Sequence, residues 1–271
     1  MSYLSRESAS LPDGLWEQID ATVINTARNV LTCRRFLHIY GPLGIGTESI
    51  NIDDASLLEE HFDNGFITTK GRKFVEIPTI YEDFTILARD LENSEKLGYP
   101  VDLSTAAQAA EACAKKEDNF IFFGNKAYGY EGLLTASRVH KIERSDWSTG
   151  ENAFLDIVSA LEYFTQNGIF GPYALAISPD LFTQLHRIQP GTGLIEYERI
   201  SKMLNGNVFT SAALGIGKAV IVCSDARNID IVIGQDMATA YLEQTNLNHT
   251  FRILESILLR IKRKEAIVVF E

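Results

Sequence analysis

The sequence has little positive charge, few cysteines and no long apolar run. It carries 25 lysine and arginine residues against 36 aspartate and glutamate residues, for a formal net charge of −11. That balance argues against nucleic-acid binding, which needs clustered basic residues. No stretch approaches the roughly 18 apolar residues of a membrane span, and the amino terminus lacks the apolar core of a secretory signal. The three scattered cysteines, Cys33, Cys113 and Cys223, are typical of a reducing cytosol rather than of a disulfide scaffold or a zinc site.

The composition is otherwise that of a globular protein, with 45% hydrophobic and 23% charged residues. At 271 residues, the chain could form two ordinary domains or one elaborate domain with insertions. Helical spacing of apolar residues predicts helices over 15–31, about 103–123 and about 152–166, and Asp13 is a candidate cap for the first. After about residue 206, short apolar segments predict mostly strands. This mixture predicts an α+β fold.

Residues 47–75 differ from the rest, because they are polar and rich in turn residues. Asp63-Asn64-Gly65 predicts a tight hairpin, since Asn-Gly accepts positive φ angles. A long hairpin with so few core residues is not stable alone. We therefore expect it to lie on the body of the protein or on a neighbouring subunit.

Motifs for catalysis are weak or missing. Gly215-Ile216-Gly217-Lys218 is close to a phosphate-binding loop, but Ala212 and Ala219 stand where that motif needs glycine and Ser or Thr. The five histidines show no metal-ligand spacing. The acidic runs at 81–83 and 90–92 have no evident partner base for acid–base chemistry. We predict no catalytic residue, no metal site and no cofactor.

Short segments in a fixed order along nearly the whole chain carry a resemblance to a known family. They are Trp16–Asp20, Arg34–Leu37, Gly41–Gly44, Ile77–Pro78 with Tyr81 and 83–84, Glu117–Asp118 with 121–124, Gly132–Leu134, Gly171–Leu175, His249 with 251–252, and Leu259–Ile261. No single segment is specific, but the ordered set resembles the encapsulins, the shell proteins of bacterial and archaeal nanocompartments.

The resemblance implies the major capsid protein fold of tailed phages, of the HK ninety-seven type. It implies a peripheral domain at 1–46, 76–137 and 224–271, an extended loop at 47–75 and an axial domain at 138–223. It further implies a self-assembling icosahedral shell, with pores for small ions, around a cargo protein. The cargo is commonly a ferritin-like iron-storage protein or a dye-decolourising peroxidase, which carries a C-terminal targeting peptide that docks on the lumenal surface.

The resemblance also implies where that peptide docks, between the N-terminal helix and the peripheral domain. The implied groove residues are Ala27, Val30, Leu31, Arg34, His38, Ile231 and Ile233. Arg34 either pairs with a polar group of the peptide or, equally, complements the dipole at the end of the helix. Many members have an acidic residue where this chain has His38. If His38 lines the groove, cargo affinity should change between about pH 6 and 7.5, where an unperturbed imidazole titrates.

A second implied site is the loop at the fivefold pore, with residues Gln189, Pro190, Gly191, Thr192 and Gly193. The same residues also suit an ordinary turn. Some members bind a flavin near a tryptophan, but Arg89 stands at the corresponding position, so no flavin is predicted. Two alternatives remain open at this point. One is a major capsid protein of a tailed phage or prophage, and the more remote one is a soluble cytosolic α+β enzyme.

Overall fold

A computed structural model describes residues 3–12, 14–52, 58–188 and 193–271. The helices in these ranges are α1 (Leu15–Val30), α2 (Ala88–Leu97), α3 (Ser104–Phe123), α4 (Asn152–Gln166), α5 (Pro179–Leu185) and α6 (Glu196–Met203). The strands are β1 (His38–Tyr40), β2 (Ser49–Asn51), β3 (Glu59–Asp63), β4 (Phe66–Lys70), β5 (Phe74–Glu76), β6 (Thr79–Ile86), β7 (Gly124–Asn125), β8 (Tyr130–Glu131), β9 (His140–Ile142), β10 (Tyr173–Ile177), β11 (Val208–Thr210), β12 (Ala219–Cys223), β13 (Ile229–Ile233), β14 (Ala238–Thr245), β15 (Asn248–Ile261) and β16 (Ile267–Phe270).

The mixture of helices and sheets confirms the predicted α+β class. The three long helices begin and end within a residue or so of their predicted bounds. The proposed cap residue Asp13 lies outside the described residues, and Gly14 precedes the first turn of α1. Among the helices of the described ranges, none is long and apolar enough to cross a membrane.

The first sheet is built around β15, a strand of 14 residues. Its first half pairs antiparallel with β14 on one side and with β6 on the other, and its second half pairs antiparallel with β13. Strand β1 pairs parallel with β13 and forms an edge of this sheet. The chain leaving α1 therefore leads directly into the sheet.

Helices α1 and α3 pack on each other and on this sheet. The buried side chains of Leu15, Ile19 and Val23 on α1 share one hydrophobic cluster with alanines of α3 and with Phe84 and Phe251 of the sheet. The small residues on α3 let the helix axes approach closely, because the distance between packed helices depends on the side chains at the contact. The apolar stripe predicted for α1 is thus mostly directed at its own chain.

The second sheet has the strand order β11-β10-β12-β16-β9. Helices α4, α5 and α6 contribute buried residues to the same core. Strand β16 lies between β12 and β9 because all four of its residues are apolar and buried, as a central strand requires. The last strand therefore joins the sheet of segment 138–223, whereas the predicted division grouped it with the peripheral domain.

The predicted extended loop is a two-part arm. Strands β2 and β5 pair at its base, and β3 and β4 form the hairpin beyond them. Asn64 and Gly65 form the two-residue turn with φ angles of 43° and 80°, as the sequence predicts.

Candidate functional site

The candidate site is centred on the segment 31–37 between α1 and β1, which α3 anchors through two consecutive acidic residues. Asp118 is buried, and its carboxylate accepts hydrogen bonds from the backbone N–H of Thr32 at 2.9 Å and of Cys33 at 3.0 Å. These bonds supply acceptors for N–H groups that lie beyond the end of α1, where buried backbone donors need a partner. The adjacent Glu117 binds the next residue of the segment, Arg34, through its side chain.

Arg34 lies at the centre of a cluster with three carboxylates from different parts of the chain. Its Nε and Nη2 atoms donate to the two oxygens of Glu117 at 2.7 Å each, a bidentate geometry. The Nη2 atom also donates to Glu255 of β15 at 2.7 Å, and Nη1 donates to Asp236 of the β13–β14 turn at 2.7 Å. The side chains of Glu117 and Glu255 are fully buried, whereas that of Arg34 is 15% exposed.

Burial and the positive charge of Arg34 have opposite effects on the pKa values of the buried carboxyl groups in this cluster. Burial raises the pKa of both Glu117 and Glu255, and their mutual repulsion adds to the effect on Glu255, against the lowering effect of Arg34. Burial alone would lower the pKa of Arg34, but the hydrogen bonds and charge of Glu117 outweigh it and raise that pKa. Burial also raises the pKa of the Cys113 thiol, which lies 3.9 Å from Glu255. Arg34 therefore stays charged while the carboxyl pair resists full ionisation.

The structure brings together only part of the implied groove. Ala27 and Leu31 are buried against Ala114 of α3, with half-buried Val30 and Met237 packed beside them. This cluster and Arg34 lie along one side of α1 and the segment that follows it. A peptide at this place would contact Val30 and the rim formed by Arg34 and Asp236 rather than the buried side chains of Ala27 and Leu31.

The remaining groove residues lie on two faces of the first sheet. Ile231 and Ile233 on β13 are fully buried in the main core, so their side chains do not line an open groove. His38 is exposed on β1 and stands opposite Asp230 in the register. Because successive side chains of a strand point to opposite faces, His38 lies on the face opposite to Ile231 and Ile233.

Sequence reasoning missed several residues around this site. It did not identify Glu255 and Asp236 as partners of Arg34, although a lone acidic residue within the apolar run of β15 was an available signal. Ile24 shares the helical spacing of the apolar residues of α1, but its side chain is 41% exposed. On β1, Tyr40 is also exposed, and the guanidinium of Arg260 lies 4.6 Å from the centre of its ring.

The arm carries a second candidate surface. Phe62, Phe66 and Ile67 on β3 and β4 are between 65% and 74% exposed, and Phe74 at the base is 66% exposed. These side chains are directed to solvent in the single chain. Phe62 and Ile67 are cross-strand partners on one face of the hairpin, and Phe66 lies on the other face. Exposed apolar surface of this kind is typical of protein–protein contacts.

The predicted pore loop is only partly described. Gln189, Pro190, Gly191 and Thr192 lie outside the described residues, and Gly193 follows them with a φ angle of 68°. The flanks of the loop are held together, since Ile188 and Ile195 form an isolated antiparallel bridge. Within the described part of the chain, no group of three or more His, Cys, Asp or Glu residues could hold a metal ion.

Known proteins match this chain over nearly its full length. A family model described as "Encapsulating protein for peroxidase" matches residues 1–258. The type 1 encapsulin shell protein EncA of Myxococcus xanthus is 38% identical over 277 residues, which cover 99% of this chain and 96% of that protein.

Two solved structures share the fold. The virus-like particle from Pyrococcus furiosus matches with a TM-score of 0.77 at 22% identity, covering 95% of this chain and 100% of that one. The capsid of Myoviridae phage XM1 matches with a TM-score of 0.62 at 14% identity, covering 86% and 88%. At such identities these matches show the fold alone, and they confirm the predicted capsid-type fold.

Proposed function

This chain belongs to the encapsulin family of shell proteins, and from that premise we propose that it encloses a cargo protein that docks through a C-terminal targeting peptide. Its role is that of a self-assembling shell subunit. The alternative of a phage capsid protein is disfavoured, because the relative with 38% identity is a shell protein and the net charge of −11 is unsuited to a DNA-filled lumen. We further propose that the shell itself has no enzymatic activity and that it is located in the cytoplasm.

The observation that carries the shell function is the full-length family match together with the exposed apolar arm. An arm whose aromatic side chains are about two-thirds exposed gains stability only when a second surface covers them. We assign that surface to a neighbouring copy of this chain. The loop around Gly193 is assigned to the fivefold pore, and segment 138–223 to the axial domain.

We place the cargo peptide along the exposed side of α1, next to the rim formed by Arg34 and Asp236. Half-exposed Ile24 and Val30 offer apolar contacts there, and His38 lies further along the same segment. The description of the matching family supports a peroxidase as cargo. A ferritin-like iron-storage protein is the other candidate that the resemblance implies.

Two measurements test this function. Size-exclusion chromatography with negative-stain microscopy of the purified protein should show closed particles, and a homogeneous monomer or dimer would overturn the shell assignment. Synthetic peptides that match the last residues of the protein encoded beside the shell gene should bind assembled shells. Ile24→Ser should weaken that binding, whereas Asn25→Ser, at the exposed neighbouring position, should not. Equal affinities for both variants would refute the placement of the groove.

A further inference from the structure

Two buried carboxylates in this protein share one cation. Glu117 Oε2 and Glu255 Oε2 both lie 2.7 Å from the same Nη2 atom of Arg34, so the two carboxyl groups are neighbours. Both side chains have no exposed surface. Glu117 accepts hydrogen bonds from both Nε and Nη2 of Arg34, whereas Glu255 accepts a single one from Nη2. Glu255 is therefore the less well neutralised member of the pair.

Among the described residues around the pair, the other cation is Lys116 of α3, whose side chain is half-exposed and pairs with Glu82 of β6 at 2.7 Å rather than with the two buried glutamates. Asp236 takes the third donor of Arg34, and the adjacent Asp118 is committed to the backbone of the segment 32–33. The Cys113 thiol on α3 faces Glu255 and is held neutral by burial. If both glutamates were ionised, the cluster would hold one cation against two fully buried anions. Like charges at this distance in a buried site disfavour double ionisation.

We propose that Glu117 and Glu255 hold one proton between them, and that this proton latches the segment 31–40 onto α3 and β15. The proton resides on Glu255, which donates it to the Glu117 carboxylate, while Glu117 stays paired with Arg34. Loss of the proton leaves two repelling anions beneath Arg34, so the segment opens as the pH rises. Opening hydrates both carboxylates and thereby relieves the repulsion.

The direction of the pH effect follows from the raised pKa of Glu255 in the closed molecule. A group of this kind contributes its full stabilisation below its ordinary pKa of 4.5, and the contribution is lost as the pH rises toward the raised value. In that window the closed form binds one proton more than the open form. The equilibrium constant for opening then rises about tenfold per pH unit.

The consequence for cargo rests on the proposed function. Leu31, Arg34 and His38 of the latched segment are among the implied groove residues, so an open segment would lose the peptide site. The test below uses assembled shells without any peptide. Its failure would therefore leave the cargo proposal intact, and failure of peptide binding would leave the latch intact.

Hydrogen–deuterium exchange of assembled shells from pH 5 to 9 tests the latch. After correction for intrinsic exchange, protection of residues 31–40 in the wild type should fall as the pH rises, by up to about tenfold per pH unit, and level off once the proton is lost. Glu255→Gln keeps a neutral donor in place of the protonated carboxyl, so its protection should be independent of pH. Asp83→Asn is the matched control on the same sheet, because Asp83 pairs with Arg252 at the surface and has a lowered pKa, and it should behave like the wild type.

Glu117→Gln distinguishes the two carboxyl groups, because the amide has only one oxygen to accept the two hydrogen bonds from Arg34. It should lower the protection of the segment at every pH, whereas Glu255→Gln should not. A flat wild-type profile, a slope of opposite sign, or the same slope in Glu255→Gln would overturn the proposal. If Glu255→Gln does not assemble, infrared difference spectra of wild-type shells decide, since the carbonyl band of a protonated buried carboxyl must disappear over the same pH range.

Discussion

Replacing Phe66 with alanine should disrupt the shell without unfolding the subunit. Phe66 lies next to the turn of the arm and is 74% exposed in the single chain. An aromatic side chain buries roughly 150–250 Å², so about 150 Å² of it is free to be covered by a neighbour. At about 25 cal/mol per Å², that area corresponds to about 4 kcal/mol per subunit. Its loss would weaken each contact of the arm by roughly a thousandfold.

Sedimentation velocity over a dilution series measures this effect, and far-ultraviolet circular dichroism checks that the fold is retained. Phe66→Ala should shift the population from closed particles to small species at concentrations where the wild type stays assembled. Thr68→Ala is the matched control, because Thr68 is an exposed residue of the same strand with little apolar area. Phe66→Ala shells that remain closed down to the dilution limit of the wild type would refute the assignment of the arm to a neighbouring copy.

Three further variants probe other parts of the chain. Arg34→Met leaves two buried carboxyl groups without their cation, and it should destabilise the protein by about 3–5 kcal/mol; a loss below about 1 kcal/mol in denaturant unfolding would contradict the importance of the cluster. Gly132→Ala would place a Cβ atom against the backbone of Gly124 and should lower the stability of the protein by about 1–3 kcal/mol or prevent folding. Gly46→Ala has open space around it and should leave the thermal unfolding transition unchanged. If His38 contacts the cargo peptide, His38→Ala should weaken binding in peptide titrations at a fixed pH; an unchanged affinity would remove His38 from the groove.

Local patterns in the sequence were sufficient for the three long helices and for the turn of the arm. Helix α3 ends at Phe123 because Gly124 follows it with a positive φ angle of 65°. The turn at Asn64 and Gly65 needs positive φ angles that these two residue types accept. By contrast, the segment 84–90 is ambiguous in the sequence. In the structure β6 runs to Ile86 because it pairs with β15, and α2 begins at Ala88. Pairing with β15, rather than local propensity, therefore determines where this strand ends.

The candidate site could not be predicted in the same way, because its parts are distant in the chain. Arg34 meets Glu117 across 83 positions and Glu255 across 221 positions, and no local spacing encodes such contacts. Burial of Ile231 and Ile233 likewise depends on which face of β13 meets the core. The resemblance to the family placed these residues near one another along β1, β13 and the end of α1, but it did not show the direction of each side chain.

Assembly and folding are encoded by different residues in this protein. Apart from half-buried Thr69, every residue of β3 and β4 is exposed, so the hairpin adds almost nothing to the core of its own chain. The buried cluster around Arg34 does the opposite, since it joins α1, α3 and the first sheet within one subunit. A subunit can therefore be complete before its arm is covered. Mutations in the arm should change the concentration needed for assembly, and mutations in the cluster should change the stability of each subunit at any concentration.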